Sequence, residues 1–503
     1  MVIDKLLIKN VLSNIIGKIF GGFSSFIFIP LYIKYLGLEN FSLISFTIAI
    51  AGFMIFLDGG LTASITRELS NSNNSNNLKA KIFKTLESTY FLIIILTTVL
   101  LLFLSENISD NFINSKLYST KELSYFLNII SFGIGFEMLF RFYLGGLVGL
   151  EKQVLSNTYR ISWGLVRNGL VIFFISVNQS LSFFFMWQTL TSLAFIIIIK
   201  LKMNHVIFGS YIINISPKIE FSILKKIYKF ALGMLLISLV AAFNSQLDKI
   251  FISKNFDVSL LGYYTLAVTI STGIYLLINP ISVALTPRFT SLITSGSIEK
   301  AMTLYSRISF LSAIVIFSIS TQLFFFSKEI FWVWIGDKNL AIETAHFLPV
   351  ISFAYSMIAI TIIPFSIAFA NGYTKLNNVL GLITLLITIP GYIYFIKYFG
   401  PIGAAYTFCF VQILVSIIYI YFIKKKFLKS ISSSTIYLKN LLYPLVISFF
   451  VAIVIDYFTE FKNSFSRLET FYFLVLSTVF VFSINLLILS YRDIKKLFIQ
   501  YCK

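Results

Sequence analysis

A chain of 503 residues that is 57% hydrophobic and only 12% charged, with a mean hydropathy of +0.88, excludes a water-soluble globule. It reads as an integral membrane protein, and the 56 Phe suit contact with lipid. The net charge of +19 would suggest a nucleic-acid partner in a soluble protein, but here the basic residues sit in short segments between apolar runs, so no nucleic acid is expected.

A spanning helix needs about 20 apolar residues. Apolar windows predict fourteen, near 11–35, 41–66, 83–104, 123–149, 156–178, 181–200, 226–252, 259–287, 302–326, 344–370, 375–397, 401–423, 438–457 and 470–490. The opening stretch "MVIDKLLIKNVLSNIIGKIFGG" runs straight into the first span without a cleavage signal, and no signal peptide is expected. In span one, Asn14, Lys18, Gly21 and Ser25 recur at helical spacing and predict a polar stripe. Span two carries Asp58, Thr62 and Thr66 as a second stripe ending at Arg67, which sets up an Asp58–Lys18 pair across adjacent helices.

The Asn/Ser run "LSNSNNSNNLKAK" that follows is expected to be a flexible loop. Span four holds Glu137 and Arg141 one turn apart inside "GFEMLFRFYLGG", close enough for an intrahelical ion pair. Span five, "SNTYRISWGLVRNGLVIFF", places Arg160 and Arg167 seven apart, on one face, with Trp163 between them. Span seven has Ser238, Ser245 and Asp248, span eight Thr265, Thr269, Thr272 and Asn279, and spans nine to fourteen are nearly free of central charge. Pro30, Pro280, Pro364 and Pro390 lie within spans, as bends for a rocking motion or as static kinks. Gly17-x-x-x-Gly21 and Gly145-x-x-x-Gly149 predict close helix contacts.

With a cytoplasmic N-terminus, 27 of the 40 Lys and Arg fall on inner segments and 10 on outer ones, leaving Lys18, Arg141 and Arg167 inside spans. That bias predicts an even number of spans with both termini in the cytoplasm. The long basic connection around Pro217 separates a first lobe, 1–200, through a linker, 201–225, from a second lobe, 226–423, with two further helices and a tail over 424–503. The outer stretches "SENISDNFINSKLYSTKE" and "SKEIFWVWIGDKNLAIE" are short, too small for an extramembrane enzyme domain. Cys409, Cys502, His205 and His346 are isolated, so neither a disulfide nor a metal centre is expected, and no phosphate loop for ATP occurs.

"YLGLENFSLISFTIAIAGFMIFLDGGLTASITRELS" and "NFDVSLLGYYTLAVTISTGIYLLINPISVALTPRFTS" share a layout, with Ser42 aligned to Gly262 and Arg67 one position from Arg288, which predicts a parallel internal repeat. Together with "LDKIFISKNFDVSLLGYYTLAVTI", these segments resemble the polysaccharide transport family, the Wzx-type O-antigen and capsule flippases of the multidrug, oligosaccharidyl-lipid and polysaccharide (MOP) exporter superfamily, over residues 8 to 425. The resemblance implies an all-α polytopic fold, with two six-helix lobes around a central cavity plus two C-terminal helices. It further implies a non-enzymatic flippase of the bacterial inner membrane that moves undecaprenyl-diphosphate-linked oligosaccharide from the inner to the outer leaflet. Membrane lipids, the pathway's polymerase and its chain-length regulator would be the partners.

A central charge costs on the order of 2.5–3.5 kcal/mol on insertion scales, so embedded charges pair or face a wet cavity. On the functional reading, Lys18, Arg141, Arg160 and Arg167 attract the diphosphate, Arg bidentately and Lys as a point charge, while Asp58, Trp163 and Tyr159 meet the glycan. The bland reading is that the ion pairs only hold helices together. No cofactor is expected; were transport coupled to an ion gradient, H+ or Na+ would be the ion and Glu137, Asp58 or Asp248 its carrier. Rival readings are a peptidoglycan lipid-precursor flippase, an ion-coupled small-molecule exporter, and a membrane polysaccharide polymerase. An exporter of organic cations calls for an excess of embedded acids, and a polymerase for a large outer loop; neither is present.

Overall fold

The computed structural model describes residues 5–209, 218–459 and 466–501. Every regular element among them is helical, with only an isolated bridge between Asn114 and Asp257. Among the described residues, twelve helices are long and apolar enough to cross a membrane, against the fourteen expected; the first and fifth expected spans fall on a shorter apolar stretch, 20–36, and on the broken helix over 153–175. The chain divides into two compact units, 1–262 and 263–503.

The first unit contains α1 (Lys5–Leu36), α2 (Leu38–Met54), α3 (Leu61–Ser70), α4 (Asn76–Phe112), α5 (Thr120–Gly149), α6 (Gln153–Gly164), α7 (Val171–Ile175), α8 (Leu181–Phe208) and α9 (Phe221–Asn255). Helix α9, grouped by sequence with the second lobe, packs here against α2, α3 and α4. Of the expected linker, 210–217 lies outside the described residues.

The second span is not one helix. A 3-10 turn over Ile55–Asp58 leads into Gly59 and Gly60 at φ of 61° and 72°, a left-handed backbone that glycine adopts without penalty. Gly60 also lets α9 approach closely, since a Cβ there would lie 2.5 Å from the Ala231 carbonyl oxygen. Asp58 then caps α3, accepting from the Thr62 hydroxyl at 2.6 Å and the Thr62 amide at 3.2 Å. The stripe of Asp58, Thr62 and Thr66 is therefore a break and a cap rather than one helical face. The Gly145 and Gly149 contact is with α3: a Cβ at Gly149 would stand 2.6 Å from the Thr66 carbonyl oxygen, and the Thr66 hydroxyl donates to the Gly145 carbonyl at 2.9 Å. The Asn/Ser run is a compact turn. Asn74 is buried and donates to the Glu68 carbonyl at 2.9 Å, while Ser75 caps α4.

Three connections within this unit are tied together. The Glu39 carboxylate accepts from the Ser115 hydroxyl at 2.6 Å and from the amides of Lys116 and Leu117 at 2.8 and 3.0 Å. Lys116 in turn pairs with Asp257 at 2.8 Å. Ser42 and Gly262, aligned in the internal repeat, touch: a Cβ on Gly262 would collide with the Ser42 hydroxyl.

Beginning in the first unit, α10 (Val258–Thr294) continues into the second, with α11 (Ile298–Phe325), α12 (Ser327–Ile335), α13 (Lys338–Ala345), α14 (Leu348–Ala370), α15 (Lys375–Phe399), α16 (Ile402–Phe427), α17 (Tyr443–Phe458) and α18 (Arg467–Tyr501). The expected outer loop around 327–343 is the pair of short helices α12 and α13, the second capped by Asp337. A π-helical segment, Ser434–Leu442, precedes α17. Pro280, Pro364 and Pro390 all sit within continuous helices.

Candidate substrate-binding site

The expected ion pair within α5 is present, with both Nε and Nη2 of Arg141 donating to Glu137 Oε1, at 3.2 and 2.6 Å. Sequence spacing did not foresee its second partner. Arg167 Nη2 lies 3.2 Å from Glu137 Oε2, so one carboxylate, 13% exposed, holds two guanidiniums from different helices.

Arg167 reaches this position because the fifth span is not a uniform α-helix: α6 passes into a π-helical turn over Leu165–Leu170 before α7. The seven-residue α-helical register between Arg160 and Arg167 does not carry through this turn. A π turn weakens the regular backbone ladder, and the carbonyls it frees need other donors. Three side chains supply them. Trp187 donates to the Val166 carbonyl at 3.0 Å, Gln188 to the Arg167 carbonyl at 3.3 Å, and Tyr32 to the Asn168 carbonyl at 2.6 Å. Gln188 also bonds the Asn168 side chain at 3.2 Å. The π turn is thus braced by α1 and α8, which fixes the direction of Arg167.

Glu137, Arg141, Arg167, Asn168, Gln188 and Gln246 line one side of a partly open cavity of 380 Å³ in the first unit, closed elsewhere by Tyr32 and apolar side chains of α2, α5 and α8. Two features leave it open to an anion. The Arg141 side chain stays 50% exposed despite its ion pair, and Arg167 Nε is buried without a hydrogen-bond partner. A buried charged donor left unmet is costly, so the residue that carries it gains from an acceptor nearby.

The other expected site residues take different places. Trp163 stacks on Phe140 at 5.1 Å, and the Arg167 guanidinium lies 4.7 Å from its ring centre, so the indole holds Arg167 from behind and does not line the cavity. Arg160 is exposed, near enough to Arg141 for their charges to repel. Asp58 lies within electrostatic reach of Arg141 while it caps α3. Asp248 is buried two residues beyond Gln246, its Oδ1 accepting from the Lys249 amide at 2.8 Å, and is not a lining residue. The Lys18 side chain, and with it the Asp58–Lys18 pair, lies outside the described residues.

Sequence reading also passed over a second buried ion pair. Lys200 on α8 and Glu87 on α4 approach to 3.4 Å with side chains only 7% and 9% exposed. The Tyr143 hydroxyl donates to Glu87 at 2.5 Å, and the Lys200 ammonium lies 5.0 Å from the centre of the Phe91 ring. Lys200 closes the apolar window 181–200, so in sequence it reads as a boundary residue.

Residues 7–293, more than half of the chain, match the family described as polysaccharide biosynthesis protein. This chain belongs to that family. A Shigella flexneri protein provisionally named an O-antigen transporter is 19% identical over 404 residues, which cover 79% of this chain and 93% of that protein. Among solved structures, the lipid II flippase MurJ in an inward closed conformation aligns with a TM-score of 0.73 and 19% identity, over 97% of this chain and 99% of that one. An inward-facing multidrug resistance MATE transporter of the MOP superfamily aligns with a TM-score of 0.64 and 13% identity, over 84% and 96%. The resemblance read from the sequence agrees with the matched family, and the likeness to these solved structures shows a shared multi-pass helical fold.

Proposed function

We propose that this protein is a flippase for lipid-linked oligosaccharide, and that the cavity beside Arg141 and Arg167 takes the diphosphate that joins glycan to polyprenol. The observation that carries the reading is the unpartnered, buried Arg167 Nε beside a half-exposed Arg141 in one cavity. A diphosphate offers accepting oxygens in the number and charge this pair needs, and guanidinium binds phosphate with paired hydrogen bonds. The amides of Asn168, Gln188 and Gln246 suit sugar hydroxyls near the same charges. The polyprenyl tail stays in lipid while the site opens to one leaflet and then the other. The family and the O-antigen relative favour a surface-polysaccharide repeat unit, moved from the inner to the outer leaflet of a bacterial inner membrane with both termini cytoplasmic.

The fold likeness to a lipid II flippase favours a second reading, a peptidoglycan precursor, whose transport would use the same diphosphate chemistry. Complementation separates the two. Restoration of surface glycan in a strain lacking its polysaccharide flippase, with no rescue of one lacking its peptidoglycan-precursor flippase, supports the first; the reverse supports the second. Arg167→Gln in the rescuing strain should abolish export while the protein still reaches the membrane in normal amount. Unchanged export by that variant would remove the diphosphate assignment.

A further inference from the structure

The second unit holds a cavity that the proposed transport does not use. It lies where the first turns of α11 meet the 428–433 connection and the π-helical segment, at the helix ends that the Lys/Arg distribution assigns to the cytoplasm. Its volume is 500 Å³, and its polar lining is Arg307, Lys439, Asn440, Glu299 and a set of hydroxyls, including Ser306 and Thr435. Phe310, Met302 and Ile431 supply an apolar side.

Three observations point to a ligand. The exposed guanidinium of Arg307 makes no ion pair among the described residues, although Glu299 lines the same cavity. Asn440 is 2% exposed, and its orientation is fixed by Nδ2 donating to the Ser306 carbonyl at 3.4 Å, which leaves Oδ1 buried and without a donor. The Lys439 ammonium is held 5.7 Å from the centre of the Phe310 ring, so it is positioned at the cavity and not extended into solvent. Lys424, Lys425, Lys426 and Lys429 follow one another just before this wall, so the approach is cationic as well.

Arg307, which makes no ion pair among the described residues, with a second cation lining the same cavity, suits a phosphate; the buried amide oxygen suits a hydrogen-bond donor next to it, and the apolar wall a hydrocarbon stem. Basic pockets among spanning helices at the cytoplasmic boundary bind anionic lipid head groups on these principles. We propose that this cavity is a binding site for an anionic glycerophospholipid with a hydroxylated head group, of the phosphatidylglycerol type. Its phosphodiester lies between Arg307 and Lys439, and a head-group hydroxyl donates to Asn440 Oδ1. The site is separate from the Arg141 and Arg167 cavity, and it stands whether or not that cavity takes a diphosphate.

The test is a titration of the purified full-length protein in neutral detergent, read by native mass spectrometry. The probes are dioctanoyl phosphatidylglycerol, dioctanoyl phosphatidylcholine, the methyl ester of dioctanoyl phosphatidic acid, and inorganic phosphate. Phosphatidylglycerol should bind at least tenfold more tightly than phosphatidylcholine. The double variant Arg307→Gln, Lys439→Gln should lose that preference. Arg307→Lys should keep most of it, which guards against a folding defect. Asn440→Leu should erase the preference for phosphatidylglycerol over the methyl ester, which has the charge but no hydroxyl. Equal binding of phosphatidylglycerol and phosphatidylcholine, or full binding by the double variant, would overturn the site. Inorganic phosphate displacing the lipid at equal concentration would overturn the lipid assignment in favour of a free anion.

Discussion

Replacing Lys200 by Met should destabilise the folded protein, and replacing Glu87 and Lys200 together by Met should not. At 3.4 Å the two charges attract by about 5 kcal/mol at an effective dielectric of 20, most of which offsets their removal from water. Lys200→Met leaves Glu87 in a dry site without its cation and with the Tyr143 hydroxyl for support, and stranding one member of a buried pair costs about 3–5 kcal/mol. Removing both replaces the pair with apolar volume, for which near neutrality is the general experience. The assay is thermal unfolding of detergent-purified protein for wild type, both single variants and the double, closed as a mutant cycle. A coupling of about 3 kcal/mol or more is expected, along with normal glycan export by the double variant, since neither residue lines the Arg141 and Arg167 cavity. Additive effects of the two substitutions would refute the reasoning, and loss of export by a stably folded double variant would show that the pair belongs to transport.

Gly149→Ala puts a methyl group 2.6 Å from the Thr66 carbonyl and should cost about 1–3 kcal/mol by forcing α5 from α3, whereas Gly21→Ala, with open space around it, should be near neutral in the same melt. Glu137→Gln should lower export at every pH, because the carboxylate positions Arg167 and Arg141; an altered pH dependence with normal rate at one extreme would instead mark Glu137 as an ion carrier. Burial pushes the Asp257 carboxyl up, but Lys116 and the bonds from Ser259 outweigh it, so the group sits below its ordinary range. A lowered carboxyl adds stability above its unfolded pKa, and that increment is lost as pH falls through the folded value. Amide protection in 114–118 and 253–258, corrected for the intrinsic exchange rate, should therefore fall in acid, and Asp257→Asn should remove that pH dependence.

The many-span helical fold and the first-unit charges were legible because lipid imposes a long apolar run on each span and a cost on each exception. Glu137–Arg141 followed from spacing on one helix. The Arg167–Glu137 contact did not, because it depends on a π turn that no periodicity announces and on Tyr32, Trp187 and Gln188, which look like ordinary interfacial residues in sequence. "FLDGG" carried the signal for the break in the second span, since paired glycines after an acidic residue suit a left-handed step and a cap, but the surrounding apolarity masked it. Glu87 and Lys200 were hidden for a related reason. Both sit near the ends of apolar windows, where α4 and α8 continue as helices beyond the hydropathy signal.

The account rests on Arg167 as a diphosphate ligand, and the most direct measurement is the affinity of purified protein for undecaprenyl diphosphate against undecaprenol. A charged hydrogen bond is worth about 1.5–3 kcal/mol, so Arg167→Gln should weaken diphosphate binding by roughly tenfold to a hundredfold while leaving undecaprenol binding unchanged. Equal affinity of the wild type for the two lipids, or an Arg167→Gln variant that binds the diphosphate as tightly as wild type, would contradict it.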